Sequence, residues 1–447
     1  MKFPAKPPDP AAVLAAAAGK GAETLTDLMR QARIVDGKGR YLHWDDLRFK
    51  KPPSGFSSEQ WWAATRMARR AASQPTPLLD IANVGFAFCE PPRLKSVLNR
   101  LDMNSGGALA SDATALSKVE GAMYLTRSLA EEPFASSFIE GAATTRKIAK
   151  KLIFEERQPR TKDERMVLNN YRAMLFVKQH ADDELSIPLL LELHRIVTEQ
   201  TLDDPNDAGR IRRSDDVRVV DDSTGEVLFQ PPPAAELRVR LGRLIEFANA
   251  VPDARNWIHP LLRAFILHFM LSYEHPFVDG NGRVARALFY WAALKSGYWL
   301  MEYVSISSVI AESKISYGRA FLHTETDNAD LTYFLVYHAN ILDTAISRLL
   351  EYADRKRNEV AAFEKRIADR HRHDAFNHRQ SWLLNEFARG RLERVTVDEH
   401  KRRNAVSYLT ARKDLESLTA AKYLLRRKNG KTIEYRPVQN LIGILTR

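Results

Sequence analysis

Residues 275–286 read HPFVDGNGRVAR, and the stretches on either side limit how such a chain can fold. The preceding RAFILHFMLSYE and the following ALFYWAAL are both apolar in the pattern of buried helices. A histidine, a carboxylate, two glycines flanking an asparagine and two arginines are thereby confined to a tight loop that feeds a helix N-terminus. That geometry suits phosphate. Gly280 and Gly282 let the backbone turn tightly and bring its N–H groups to an anion. The first turn of the following helix adds unpaired N–H groups and the positive end of the helix dipole. Arg283 and Arg286, three apart, share a helix face and can reach one polyphosphate. Asp279 can hold a divalent metal, which commonly rides on substrate phosphates with only one or two protein carboxylates. Asn281 can donate to a phosphate oxygen. His275 is the one group in the run that titrates near neutrality, which makes it the natural general base.

The run matches H-x-F-x-[DE]-G-N-G-R-x-x-R at every defined position, and on those residues it resembles the signature of the Fic (filamentation induced by cAMP) family. The resemblance continues upstream through ERMVLNNYRAM (164–174), GRIRRSDDVRVV (209–220) and the prolines 231–233, and covers roughly residues 115–350. It implies a helical catalytic domain that transfers part of a nucleotide, usually AMP from ATP with Mg2+, to a Ser, Thr or Tyr hydroxyl of a protein. Carried over residue by residue, it implies that His275 deprotonates the attacking hydroxyl and that Asp279 positions Mg2+ on the α- and β-phosphates. Asn281, with the backbone of Gly280 and Gly282, would form the anion hole for the α-phosphate. Arg283 and Arg286 would hold the β- and γ-phosphates. Phe277 would anchor the nucleotide-binding loop to the core. Such a site works by positioning and electrostatics.

A second segment, SSFIEG (136–141), resembles the family's inhibitory motif [ST]-x-x-x-E-[GN], with Ser136, Glu140 and Gly141 in the defined places. Ser136 and Glu140 are four apart and share a helix face. In isolation the segment reads equally as a helix with one exposed Glu and a C-terminal Gly. With the signature downstream, the resemblance implies that the Glu140 carboxylate pairs with Arg286 and competes with the γ-phosphate. In some relatives the same Glu supports removal of AMP, so a reverse activity stays open, as does another nucleotide donor. Residues 217–230 read VRVVDDSTGEVLFQ, two β-rich runs around a turn cluster, hence a hairpin. It resembles the family's flap, which holds a target segment by strand-type hydrogen bonds. Pro231–Pro233 end its second strand.

The net charge of +11 is concentrated in the C-terminal third, in basic runs over 355–379 and 389–403. SWLLNEF (381–387) reads as a short amphipathic helix. RVTVDEHKRR (394–403) follows as the second helix, and then a longer one over 404–424, with Val406, Leu409, Leu415, Leu418 and Leu424 as its apolar stripe and Ser407, Thr410, Arg412 and Lys413 largely off it. Asn429-Gly430 then marks a hairpin turn between basic strands. Three helices and a basic hairpin are the order of a winged helix-turn-helix. The segment looks like the C-terminal module of many bacterial Fic proteins, with T-A-x-x-D-L-x-x-L at Thr410, Ala411, Asp414, Leu415 and Leu418. Its 404–424 helix is expected in a DNA major groove, with Arg426, Arg427, Lys428 and Lys431 on phosphates. Such modules also dock proteins.

The rest of the chain carries less chemistry. No run approaches the length of a membrane span. AAVLAAAA follows a Pro-rich start and reads as a flexible leader, not a signal peptide. The single cysteine, Cys89, excludes an internal disulfide and suits a reducing, cytoplasmic setting. Trp61 and Trp62 read as core anchors. Tyr337, His338 and Asn340 carry no site signature, Tyr303 and Tyr317 could flank a nucleobase, and no CxxC or HExxH occurs. The expected architecture is mostly α. It comprises an N-terminal helical extension (1–110) and a Fic-type catalytic domain (111–355) with an inhibitory helix near 130–145 and a β-hairpin flap at 216–231. A basic linker (356–375) and an α+β winged helix domain (376–447) follow. The expected acceptor is a protein hydroxyl, with this chain itself among the candidates, and the resemblance alone implies a homodimer. In a different class stands a DNA-binding regulator whose catalytic half senses a nucleotide.

Overall fold

The computed structural model describes residues 2–19, 22–105, 129–221, 224–251, 254, 256–372, 376–429 and 432–446. The start of the expected catalytic domain (111–128), part of the flap turn (Asp222, Ser223), and Gly430 and Lys431 of the C-terminal hairpin lie outside these. The chain is mostly helical. Residues 2–105 and 129–346 form one compact unit, and 347–446 belong to a second. Among the described residues, no helix is long and apolar enough to cross a membrane.

The first unit opens with α1 (Pro10–Ala18), α2 (Ala22–Arg30), α3 (Trp44–Leu47) and α4 (Ser58–Ala71). The hairpin β1 (Gln74–Leu79) and β2 (Gly85–Phe88) and then α5 (Pro92–Ser105) follow. The flexible leader expected over AAVLAAAA is instead α1. Asp9 caps it by accepting from Ala11 N at 3.0 Å, Pro10 occupies its first turn, and Ala17 is buried with Leu28 and Ala64. Alanine is the strongest helix former, and proline at a helix start promotes a helix where elsewhere it would break one. The strand β1 has two prolines, Pro75 and Pro77, which it tolerates because β2 is its one strand partner among the described residues. Trp61 and Trp62 are buried, as is Cys89.

The chain continues through α6 (Glu131–Ile139), α7 (Arg146–Phe154), α8 (Lys162–Gln179) and α9 (Ile187–Thr198). A short hairpin of β3 (Val219–Val220) and β4 (Val227–Phe229) precedes α10 (Leu237–Asn249), α11 (Pro260–Glu274), α12 (Asn281–Lys295), α13 (Ile306–Ile310) and α14 (Lys314–Thr326). The helices α11 and α12 pack against each other at the centre and are buried on nearly every face, Leu261, Phe265, Phe269, Val284, Leu288 and Phe289 among them. In the hairpin Val219 faces Phe229 and Val220 faces Val227, antiparallel. The long helix α15 (Thr332–Arg372) begins in this unit and ends in the second.

The N-terminal residues are wired into the same unit by buried charge. Arg69 is fully buried, donates to Ile34 O and Leu42 O at 3.0 Å each and to Tyr333 Oη at 2.7 Å, and lies 3.5 Å over the Tyr41 ring. Arg66 pairs with Asp327 (3.1 Å) and Asp330 (3.2 Å).

The second unit has α16 (His378–Ala388), β5 (Val395–Thr396), α17 (Val397–Asn404), α18 (Tyr408–Ala420), β6 (Leu424–Asn429), β7 (Thr432–Pro437) and α19 (Leu441–Thr446). Its sheet runs β5–β7–β6, antiparallel throughout, with Leu424 opposite Pro437. Leu383, Leu384, Ala411, Leu415, Leu418, Leu424 and Tyr435 fill its core. Asp414 ties three helices together: it accepts from Arg379 at 2.7 and 3.1 Å and from Asn377 at 2.8 Å, and lies 3.2 Å from His400 Nε2.

The apolar stripe expected over 404–424 needs correction. Ala405 takes a left-handed φ of 49°, and Ser407 caps a new helix by accepting from Thr410 N. The helix is therefore Tyr408–Ala420, Val406 lies in the turn, and Leu424 is buried from a strand. Leu409 falls on the face away from Ala411, Leu415 and Leu418 and is 76% exposed.

Candidate active site

The signature residues occupy the link between α11 and α12. His275 ends α11 at φ 46°, the left-handed region that few residues other than glycine adopt. Arg212, buried, holds the turn in place. Its backbone N–H donates to Pro276 O and its Nε to His275 O, each at 2.9 Å, and its other nitrogens donate to Ser214 O, Asp215 and Pro232 O. That last bond ties the proline run after the β3–β4 hairpin to the turn. His275 Nδ1 lies 3.1 Å from Ser272 O. A carbonyl can only accept, so Nδ1 carries the proton and Nε2 carries the lone pair. Burial lowers the His275 pKa against the opposing pull of Ser272 O and Glu140, which keeps the ring neutral at pH 7.

The loop is pinned from inside. The Asn281 side chain accepts from Phe277 N at 2.9 Å and donates to Phe277 O at 2.8 Å, so much of its hydrogen-bonding capacity serves the loop itself. The Phe277 ring is fully buried and stacks on His194, centroids 3.8 Å apart and nearly parallel. His194 Nδ1 accepts from Gly209 N at 2.9 Å, so its Nε2 donates to Asp279 O at 3.0 Å. Burial lowers the His194 pKa to about 4, which keeps it in that neutral form. Gly280 has φ 85°, and a Cβ there would lie 2.8 Å from Thr198 Cγ2, so only glycine fits.

The helix start has no side-chain cap, and its first turn is buried at Asn281 and Arg283. The first intrahelical bond is from Val284 N to Gly280 O at 3.0 Å, which leaves the N–H groups of Asn281, Gly282 and Arg283 ahead of it. Asp279 Oδ1 takes Gly280 N at 2.6 Å, its Oδ2 takes Arg283 at 3.2 Å, and its side chain is 55% exposed. Arg283 is buried and also donates to Val197 O at 3.1 Å.

Arg286 is buried and engaged from α6. Its Nε donates to Ser136 Oγ at 2.9 Å, and its Nη2 to Ser136 O at 3.1 Å and to Glu140 Oε1 at 2.8 Å. A Cβ on Gly282 would collide with that same Glu140 oxygen, so the carboxylate lies against the N-terminal turn of α12. The Glu140 side chain is 27% exposed. Burial works against its charge, but Arg286 and Arg283 outweigh that and hold its pKa below the usual carboxylate range. Burial likewise opposes the Arg286 charge, and Glu140 with neighbouring groups raises its pKa in spite of it. Gly141, at φ 91°, follows α6 in a left-handed cap: its N–H donates to Phe138 O and that of Ala142 to Ser137 O, which leaves Glu140 as the capping residue just past the helix.

Sequence reasoning missed several residues that set this geometry. Glu132 at the start of α6 is buried and accepts from Ser305 Oγ, Ser307 N and Ser307 Oγ at 2.6–3.0 Å. Lys314 donates to Phe138 O (3.2 Å) and Ile139 O (2.7 Å) at the other end. Thus the stretch 305–314 grips both ends of α6. Tyr317, one turn along α14, lies beside Arg286 and 2.9 Å from His268 Nε2. For Arg212 the signal was its place in GRIRR, within the span of the resemblance. None marked His194, Glu132 or Lys314.

Residues 184–293 match the Fic/DOC family, and the chain thus carries a Fic domain. That span includes β3, β4 and the whole of 275–286, and α6 precedes it. Protein adenylyltransferase fic-1 of Caenorhabditis elegans is 36% identical over 127 residues, 28% of this chain and 22% of that protein. Protein adenylyltransferase Fic of Drosophila grimshawi is 34% identical over 128 residues, 28% and 24% of the two chains. The match therefore spans under a quarter of these relatives' length. Among solved structures, a Fic family protein from Desulfovibrio desulfuricans G20 covers 78% of this chain and 95% of its own at 18% identity, TM-score 0.49. Fic-1 (aa134–508) from C. elegans covers 58% and 70% at 24% identity, TM-score 0.42.

Proposed function

We propose that this chain, through its Fic domain, transfers AMP from ATP to a Ser, Thr or Tyr hydroxyl of a protein, and that Glu140 holds the activity down. The observation that carries this reading is the meeting at one helix N-terminus of His275, with a free Nε2, and an Arg286 already occupied by a carboxylate. In the reaction the acceptor oxygen forms a bond to the α-phosphorus as Nε2 takes its proton. The bond from that phosphorus to the bridging oxygen breaks, and pyrophosphate leaves. The N–H groups at the start of α12 that no helix bond uses receive the phosphate charge in a preorganised site. Arg286 meets the terminal phosphate once Glu140 gives it up. Asp279, exposed and offering a hard carboxylate oxygen, fits Mg2+ carried mainly on the phosphates. Bound there, the ion would neutralise phosphate charge. Among the described residues, no group of three His, Cys, Asp or Glu could hold a metal by itself. The short hairpin β3–β4, whose following proline run is tied to the His275 turn through Arg212, suits an extended target segment.

The test uses ATP labelled at the α-phosphate with Mg2+ and compares wild type, Glu140→Gly, and Glu140→Gly with His275→Ala. Protein-bound label should be weak for wild type, strong for Glu140→Gly and absent for the double variant. If Glu140→Gly binds nucleotide yet labels neither itself nor a lysate, AMP transfer is the wrong reaction, and another donor or AMP removal takes its place.

A second role attaches to the second unit, for which we propose a winged helix-turn-helix that binds duplex DNA. Residues 347–447 hold 24 Lys and Arg against 13 Asp and Glu, which is the whole +11 excess of the chain, so the partner should be a polyanion. Three helices, a three-residue turn between α17 and α18, and the β6–β7 hairpin support the reading.

A further inference from the structure

We infer that α18 recognises thymine methyl groups in the major groove through Leu409, with Tyr408 beside it; the inference rests on the proposed DNA-binding role. The helix has two opposite faces with the same i, i+3, i+4, i+7 spacing. Ala411, Asp414, Leu415 and Leu418 form the buried one. Leu409, Arg412, Lys413 and Glu416 form the other, where Arg412 and Lys413 are exposed and Arg412 pairs with Glu416 at 2.7 Å. The rotation of the helix is fixed by the Asp414 hub and the buried leucines, so Leu409 cannot turn inward. Its 76% exposure, and the 46% exposure of Tyr408, belong to the helix's first turn.

That turn is where a helix-turn-helix meets base edges. The major groove presents donors, acceptors and a single apolar feature, the thymine 5-methyl group. A leucine on an otherwise charged outward face matches that feature, and the charged neighbours match the rest. Charge complementarity selects DNA as the occupant. Lys401, Arg402 and Arg403 on α17 and Arg426, Arg427 and Lys428 on β6 are all exposed, as a phosphate backbone requires. An apolar protein partner would account for Leu409 but not for these.

Duplexes enriched on the full-length chain from a random-sequence pool supply the probe. Each is then remade with deoxyuridine for thymidine, which deletes only the methyl groups. Wild type should bind the uracil copy about fourfold more weakly for each methyl it meets. Leu409→Ala should bind both copies alike, while Leu409→Met should keep most of the preference. Arg427→Ala should weaken both copies by the same factor and reduce the salt dependence. Leu409 is exposed, so its replacement leaves the core untouched. Equal binding of the two copies by wild type, with Arg427→Ala still weakening both, overturns the thymine inference and leaves DNA binding standing. A pool that yields no enriched duplex overturns both.

Discussion

His275 and Glu140 act on each other through charge, and that coupling has a measurable sign. Burial lowers the histidine pKa, and the Glu140 carboxylate partly restores it. Removing Glu140 therefore lowers it further, and the base stays neutral to more acid pH. The acid limb of kcat/KM for Glu140→Gly should have its midpoint below the ordinary histidine value of about 6.5. A rate profile of label transfer from pH 5 to 8 measures it, and a midpoint above that value would sink the assignment of His275 as the base. At this scale much of the site was legible in the chain, because the signature residues are contiguous and each has a chemistry of its own. His194 was not legible. Its ring is fixed by Gly209 N and Asp279 O, partners 15 and 85 residues away, and a lone histidine in an apolar helix gives no sign of that. Asn281 shows a related limit: its residue type suggested a phosphate donor, whereas its side-chain amide bonds the backbone of Phe277.

Among the elements, α6 matters most, because the position of Glu140 is the position of that helix's last turn. Two devices place it: the left-handed Gly141 and the Lys314 ammonium on the carbonyls of Phe138 and Ile139. A cation on helix-end carbonyls contributes up to about 1 kcal/mol. On the proposed inhibition by Glu140, Lys314→Met should therefore raise basal labelling by about fivefold at most, and should add nothing in a Glu140→Gly background, where the inhibiting carboxylate is already gone. Single and double variants in the same labelling assay decide it. An unchanged wild-type background would show that the buried Glu132 contacts alone hold the helix. Gly141→Ala should act in the same direction, since φ 91° strains any side chain. The motif made α6 legible from Ser136, Glu140 and Gly141, but its anchors lie some 170 residues on, at 305–314, beyond any local pattern. The same holds in α18, where apolar spacing alone put Leu409 inside. The cap at Ser407 and the turn at Ala405 set the phase of the helix, and both are turn chemistry that periodicity does not weigh.

At the scale of the molecule, the least legible part was the N-terminal hundred residues, which carry no motif and join the Fic domain through buried charge. Tyr41 donates to Asp330 at 2.6 Å, Arg319 on α14 pairs with Asp45 at 3.0 Å, and His43 stacks on His323. The same α14 begins at Lys314 and carries Tyr317, so the segment that grips α6 is itself held by residues 43–46. Arg69 is the centre of this network, since it bonds two backbone carbonyls and Tyr333 with no access to water. Removing one member of such a buried set leaves the others desolvated and unpaired, at a cost of about 3–5 kcal/mol. For a unit of this size that corresponds to a Tm fall on the order of 10 °C. Calorimetry of full-length Arg69→Met should show the fall in the transition assigned to the first unit, with hydrogen exchange quickening in α11 and α12 as well as near residues 34–43. If exchange quickens only near 34–43 and the main transition stays in place, the N-terminal residues fold by themselves, and their grip on α14 has no bearing on the proposed inhibition by Glu140.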